Sequence, residues 1–419
     1  MVNCDIKFSS PQGIYFAGQT LSVQISLRLE KPKKFRSIYV VFRGRAKCFW
    51  SNNYGTHTRR HRVKYEAEET YVNSTSYLLG NESAEAVELP VGLHNFTVAC
   101  SLPDQLPSSF EGDHGSIRYS VKVVVDRPWK FDHTFEEAFT VLKQYDLNFD
   151  SSLRLPFERQ KVSTFCFWPF RSGPMSITVR LPQTGFVPGQ SVPITVEVAN
   201  DSGTSINYFR VLLKKVVMYN ATSPKPKTRR QKEMVVNNRV EKKAAGSGTT
   251  QTQLTLEIPS VPPTNIAHNR IIHITYELKV CAKTSGGCSD DVEIRIPIVV
   301  GTVPLLAGSP HMASSSGGGP GFNHNLPPPS YEECISGKYD IKEDSDDKTN
   351  SKPFAPLYPV YRYEIPPQAQ MSPQSPPPQT FYPNPNPQQH PPYPVAVAQP
   401  TIPIGFTIAP KSPPKEKTN

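Results

Sequence analysis

Cysteine is scarce in this 419-residue chain: seven residues, at positions 4, 48, 100, 166, 281, 288 and 334. Their number is odd and no two stand as C-x-x-C, so neither a disulfide framework nor a zinc site is expected. They read as reduced, cytosolic thiols. Long apolar runs are missing as well. The longest mostly apolar stretch, from Ile296 to Ala307, is interrupted by prolines and too short to span a bilayer. The opening residues, MVNCDIKFSS, lack a basic start followed by an apolar run, so no secretory leader is read there, and the N-x-S/T matches at Asn73, Asn81, Asn95 and Asn220 are taken as chance. Catalytic signatures are absent too. The ten histidines never form H-E-x-x-H, and no G-x-S-x-G or Walker loop occurs. Asp113-His114 reads as turn chemistry rather than an acid–base pair. No enzyme, metal or cofactor is expected.

Proline is abundant but unevenly placed. Of 44 prolines, 25 fall between Leu306 and Asn419. Proline removes a backbone donor and fixes φ, so that density excludes a packed core there. Residues 307–419 are read as a disordered proline-rich tail, beginning with the Ser/Gly run HMASSSGGGPGF. Charge divides the same way: the tail carries a net −1 and the body +11, within a total of +10. A basic body suits an acidic partner, and charge alone does not say whether that is anionic lipid, an acidic peptide or nucleic acid.

The body reads as strands. SVQISLRL at 22–29 and SIRYSVKV at 116–123 alternate polar and apolar residues, which places alternate side chains on one sheet face. Many short runs of this kind, punctuated by Pro, Gly and Asn, predict β-sandwiches. FEEAFTVLKQYDLN at 135–148 is read as strand from its β-branched and aromatic content. The body also repeats. Pro11-Gln12 and Gly18-Gln19 recur as Pro182-Gln183 and Gly189-Gln190, an offset of 171. Ile117 to Val123 recurs as Ile274 to Val280, an offset of 157, so loop lengths differ between the copies. The expected architecture is all-β: two tandem immunoglobulin-like sandwiches at 1–150 and 173–306, joined by a linker at 151–172.

These residues resemble the arrestin domain-containing proteins, the α-arrestins. The stretches that carry the resemblance are LPDQLPSSFEGDHGSIRYSV at 102–121, Asp126-Arg127-Pro128-Trp129, PGQSVPITVEVAN at 188–200, PIVVGTVPL at 297–305 and PPPSY at 327–331. The resemblance covers roughly residues 5–306 and the tail motif. It implies two arrestin-like sandwiches and an adaptor that links receptors or transporters to HECT-type ubiquitin ligases with WW domains. It further implies action in endocytosis and endosomal sorting, in the cytoplasm and peripherally at plasma membrane and endosomes. One branch of the family binds thioredoxin through a cysteine in the second domain; this chain has no cysteine between Cys166 and Cys281, so that activity is not carried over.

Pro328, Pro329 and Tyr331 form the candidate WW-domain site. The prolines favour polyproline II, which lowers the entropy lost on docking, and WW domains offer a proline groove beside a tyrosine pocket. About 22 residues of flexible chain from Leu306 carry the motif on the order of 26 Å from the body. Pro356 and Tyr358, in APLY, are a second candidate that lacks the first proline because Ala355 replaces it. Pro391-Pro392-Tyr393 lacks the spacer residue. Two basic clusters, Arg59, Arg60, Arg62 and Lys64, and Lys225, Lys227, Arg229, Arg230 and Lys232, are read as loops: either solvated surface or a weak contact with anionic lipid or acidic cargo. A nucleic-acid partner is not expected. The alternative to the ligase adaptor is an arrestin-fold coat or sorting subunit that works without a ligase.

Overall fold

The computed structural model describes residues 2–56, 59–83, 85–167, 170–267, 269–285, 291–306, 330–332 and 354–361. The first sandwich is built from β1 (Val2–Phe8), β2 (Ile14–Phe16), β3 (Thr20–Leu29), β4 (Lys33–Phe35), β5 (Ser37–Thr56), β6 (Arg59–Gly80), β7 (Val87–Leu89), β8 (Gly92–Ser101), β9 (Phe110–Gly112), β10 (Gly115–Asp126) and β11 (His133–Leu142). Its two main sheets run β1-β3-β8 and β2-β11-β10-β5-β6, with β9 paired to β10. The second sandwich contains β12 (Phe157–Phe167), β13 (Phe170–Leu181), β14 (Gly185–Phe186), β15 (Ser191–Asn200), β16 (Ile206–Ala221), β17 (Lys227–Val240), β18 (Gly248–Glu257), β19 (Ile272–Thr284) and β20 (Val292–Val300). Its sheets run β12-β13-β15-β18 and β14-β20-β19-β16-β17. Two short tail strands, β21 (Ser330–Glu332) and β22 (Tyr358–Val360), pair with each other.

The alternation read in the sequence becomes the core. Along β3, Leu21, Val23, Ile25, Leu27 and Leu29 point inward, while Ser22, Gln24, Ser26 and Arg28 do not. Fully burying each such side chain contributes about 1.5–3 kcal/mol. One contiguous apolar cluster runs through both sandwiches. Of the segment 135–148 read as strand, residues 135–142 lie in β11; the strand ends at Leu142, and Leu147 already belongs to a short 3-10 turn.

The internal repeat has a structural cause. Gly18 and Gly189 both sit at φ +86°, a region that only glycine enters without strain. In each copy the following glutamine folds back: Phe16 N–H donates to Gln19 Oε1 at 2.9 Å, and Val187 N–H to Gln190 Oε1 at 3.2 Å. The second matched segment places a tyrosine at the same point of each sandwich. Tyr119 donates its hydroxyl to the Pro107 carbonyl at 2.7 Å, and Tyr276 to the Pro262 carbonyl at 2.6 Å. Both bonds are buried.

Two expectations need correction. The span 151–172 is not a linker: β12 begins at Phe157 and pairs along its length with β13. The connection is shorter, from Leu142 to Phe157, and contains two short 3-10 turns, Leu147–Phe149 and Ser151–Arg154. β12 was illegible because it is an edge strand, mostly exposed, so nothing forces its side chains to alternate. The second correction is in the tail. Residues 354–361, read as disordered, are packed against the body, with Tyr358, Val360 and Tyr361 buried.

Replacing Tyr119 with Phe keeps the ring and leaves the Pro107 carbonyl without its partner. The expected loss is about 1–3 kcal/mol, read as a lower denaturant midpoint with an unchanged slope.

Candidate functional site

The sequence places its candidate residues in two regions, the tail motifs and the basic stretches. The structure brings one basic stretch into the junction between sandwiches and one tail motif into a groove across their ends.

Lys227, Arg229, Arg230 and Lys232 lie on β17 rather than on a loop, with Lys225 in the turn before it. A strand splits such a cluster between two faces. Lys227, Arg229, Gln231 and Glu233 are half-buried on one side; Arg230 and Lys232 are exposed on the other. Lys227 is an interdomain pin. Its ammonium donates to the Tyr54 hydroxyl at 2.5 Å and lies 4.8 Å from the Tyr65 ring centre. The Tyr54 hydroxyl beside it raises the pKa of Lys227, so the charge persists. Gln231 donates to Asp113 at 2.6 Å. His114 packs edge-on against Tyr219 with ring centres 5.6 Å apart, and burial, helped by Arg229, lowers its pKa. Asp113-His114 is therefore junction as well as turn.

More of the junction comes from the outer part of the β5–β6 hairpin. Glu66 and Ser223 exchange backbone hydrogen bonds, both at 3.0 Å, and Glu69 pairs with Arg270 at 3.2 Å. The first basic cluster lies on β6: Arg62 and Lys64 are exposed, while the side chains of Arg59 and Arg60 lie outside the described residues. Both clusters looked like loops because β6 and β17 are edge strands. Charged side chains at edges discourage pairing with other chains, and they erase the apolar alternation.

Reading residue types missed the hairpin tip between β10 and β11. Asp126 holds Arg36 through two bonds, at 2.6 and 2.9 Å, and Arg127 donates to the Phe131 carbonyl. This turn leaves Trp129 at φ +62°, and both Trp129 and Phe131 are almost fully exposed. Two exposed aromatics flanked by Arg127 and Lys130 form an amphipathic tip. The Asp-Arg-Pro-Trp sequence was the available signal.

In the tail, Pro328 and Pro329 lie outside the described residues. Ser330 to Glu332 forms β21, with Ser330 opposite Val360, Tyr331 opposite Pro359 and Glu332 opposite Tyr358. The two candidate motifs, 27 positions apart in sequence, thus meet as an antiparallel pair rather than lying far from the body as a free coil would. Pro356 and Tyr358 are both buried. Tyr358 packs on Ile14 and Leu142 of the first sandwich and donates its hydroxyl to the Ser109 carbonyl at 3.0 Å. Ser109 is itself fixed, because its hydroxyl accepts from Val141 N–H at 2.9 Å. Three residues on, Tyr361 packs on Val187, Leu147 and Leu153, and its N–H donates to the Pro188 carbonyl at 3.0 Å. The Tyr361 hydroxyl donates to the Thr302 carbonyl.

Among the described residues no helix is long and apolar enough to cross a membrane, and no cluster of three or more metal-ligating side chains occurs. Comparison with known proteins gives two family matches: the arrestin (or S-antigen) N-terminal domain over residues 4–148 and the arrestin C-terminal domain over 171–305. The chain is 29% identical over 355 residues to arrestin domain-containing protein 17 of Caenorhabditis elegans, covering 79% of each chain. It is 29% identical over 299 residues to arrestin domain-containing protein 4 of Mus musculus, covering 70% of each. With arrestin domain-containing protein 1 of Mus musculus the identity is 27% over 323 residues, covering 75% of this chain and 68% of that one.

The two faces of β17 predict different mutants. Lys227→Ala removes the cation between Tyr54 and Tyr65 and lowers the thermal unfolding midpoint. Lys232→Ala, on the exposed face, leaves it unchanged within error. Differential scanning calorimetry of both variants checks this.

Proposed function

The chain belongs to the arrestin domain-containing proteins, a family of adaptors, and from that premise we propose that it couples membrane cargo to a WW-domain ubiquitin ligase of the HECT type. The sandwiches hold a receptor or transporter, and the tail holds the ligase. Ubiquitination of the cargo then directs its endocytosis and endosomal sorting, and the adaptor works in the cytoplasm, peripherally at plasma membrane and endosomes.

The observation that carries this reading is Pro328-Pro329-Ser330-Tyr331 on a chain with two arrestin sandwiches. A polyproline II turn of two prolines stacks in the aromatic groove of a WW domain, and the tyrosine ring fills the pocket beside it. Docking brings the ligase to whatever the sandwiches hold without any chemistry by the adaptor itself. Calorimetry on a peptide spanning 322–362 tests it. Tyr331→Ala and Pro329→Ala should each weaken binding to a single WW domain at least tenfold, which is about 1.4 kcal/mol. Unchanged affinity in the Tyr331 variant would leave an arrestin-fold sorting subunit without a ligase as the better reading.

An adaptor for membrane cargo gains from weak membrane contact of its own. Two surfaces support this. Lys225, Arg230 and Lys232 are exposed around the start of β17, and Trp129 and Phe131 crown the basic hairpin tip. Aromatic side chains favour the headgroup level, and basic ones favour anionic lipid. Co-sedimentation with phosphatidylserine-containing vesicles should fall in a Trp129→Ala/Phe131→Ala variant. It should also fall in a Lys225→Ala/Arg230→Ala/Lys232→Ala variant, and for the latter the loss should match that caused by added salt. Vesicle binding unaffected by either set returns these residues to ordinary solvated surface.

A further inference from the structure

We propose that residues 354–361 are an intramolecular latch: they occupy a peptide groove across the ends of both sandwiches and hide the second WW-binding motif until they are released. The inference rests on the ligase reading above and adds a regulatory state to it.

The groove is bipartite. On the first sandwich it offers the Ser109 carbonyl, the Thr140 hydroxyl and the apolar side chains of Ile14 and Leu142. On the second it offers the Pro188 and Thr302 carbonyls, the Ser260 hydroxyl and Val187. The tail crosses from one to the other within five residues. Leu357 N–H donates to Thr140 Oγ1 at 3.2 Å, and Ser260 donates to the Tyr358 carbonyl at 3.1 Å. Two aromatic rings three residues apart anchor the two ends, Tyr358 on the first sandwich and Tyr361 on the second. Gly189 lies directly under the backbone carbonyl of Tyr361, and a Cβ at that position would collide with it. The repeat's Gly-Gln turn therefore doubles as the floor of the groove, because glycine lets another backbone approach closely.

Docking and ligase binding use the same atoms. A WW domain needs the tyrosine ring of its motif in its own pocket and the preceding proline in its own groove. Here the Tyr358 ring is 4% exposed, its hydroxyl is engaged by Ser109, and Pro356 is buried. Neither group can serve both hosts at once. The latch also reaches the first motif, since β22 is the strand on which Ser330-Tyr331-Glu332 pairs. A closed latch leaves a ligase with several WW domains at most one motif, held against the body. An open latch gives two motifs on one flexible tail, and the second contact then becomes intramolecular, which raises affinity through effective concentration.

Tyr361 allows a clean test because it lies outside Ala355-Pro356-Leu357-Tyr358. Tyr361→Ala removes the second anchor and leaves both motifs intact. In the full chain, hydrogen exchange should show amides of 357–361 protected in the wild type and exchanging at free-peptide rates in Tyr361→Ala. Calorimetry with a tandem WW protein should give an affinity about tenfold higher for Tyr361→Ala than for wild type, the penalty expected when the competent state is a minority of about one in ten. Adding Tyr358→Ala to that variant should abolish the gain. The isolated 322–362 peptide should bind the tandem protein equally with or without Tyr361→Ala. Fast exchange of 357–361 in the wild type would overturn the latch. So would a Tyr361→Ala chain that binds tandem WW domains no better while the free peptide gains affinity through Tyr358. A free peptide that binds no WW domain, in a chain whose 357–361 amides are protected, would instead sink the ligase reading and with it the masking.

Discussion

The junction between the two sandwiches is the constraint to which the other features answer. β5 and β6 run on beyond what one sheet needs, and their outer part lies on the second sandwich. That overhang is fastened by Lys227 between Tyr54 and Tyr65, by the Glu66–Ser223 backbone pair and by Glu69 with Arg270. β9 and the following turn add Phe110, over whose ring Lys215 sits at 5.6 Å, and Asp113 with Gln231. Because the apolar cluster is continuous through both sandwiches, this polar collar surrounds a shared core rather than bridging two separate ones. Interfaces with apolar centres and polar rims hold their geometry well. A fixed junction is what allows one tail segment to find donors and acceptors on both sandwiches at once.

The repeat explains how two sandwiches of different loop length share an end. In each, the Gly-Gln turn and the tyrosine-to-proline-carbonyl bond secure the same corner. In the first copy that corner carries Ser108 and Ser109, whose hydroxyls accept from Lys143 and Val141 and fasten the end of β11. In the second it carries Gly189 and Pro188. The groove draws on one corner from each copy, so its halves correspond within the repeat yet differ in chemistry: the buried Ser109 carbonyl and the Thr140 hydroxyl on one side, a glycine floor, two carbonyls and the Ser260 hydroxyl on the other.

Much of the fold was legible because burial enforces period two. β3, β10, β15 and β19 are central strands, and their inward residues are apolar except at the strand ends, where Asn200 and Thr284 are buried. The edge strands were illegible for the converse reason. β12 and β17 have a face that nothing buries, so charge and β-branching follow no period. Lys227 shows the limit for sites. In sequence it is one of five basic residues within eight positions; only the strand's pleat separates it from Lys232. Composition misjudged Tyr358 differently. Proline-rich surroundings signal disorder on average, but Leu357, Tyr358, Val360 and Tyr361 form a local apolar peak that an average conceals.

The energetics of that peak are those of a reversible contact. Burying Tyr358, Val360 and Tyr361 and half-burying Leu357 contributes about 5–10 kcal/mol. The hydrogen bonds of Leu357, Tyr358, Ser260 and Tyr361 add roughly 1 kcal/mol each, about 5 in all. Ordering eight backbone residues costs about 8–16 kcal/mol. These terms offset to within a few kcal/mol, so a docked tail is stable only by a margin comparable to a single good WW contact. Placing the second tyrosine motif in a segment of this kind has a consequence for its first position. Ala355 is half-buried against the body where a full motif would have proline. Alanine retains the backbone donor that proline lacks and leaves φ free, which suits the two hosts of different shape that the latch proposal gives this segment.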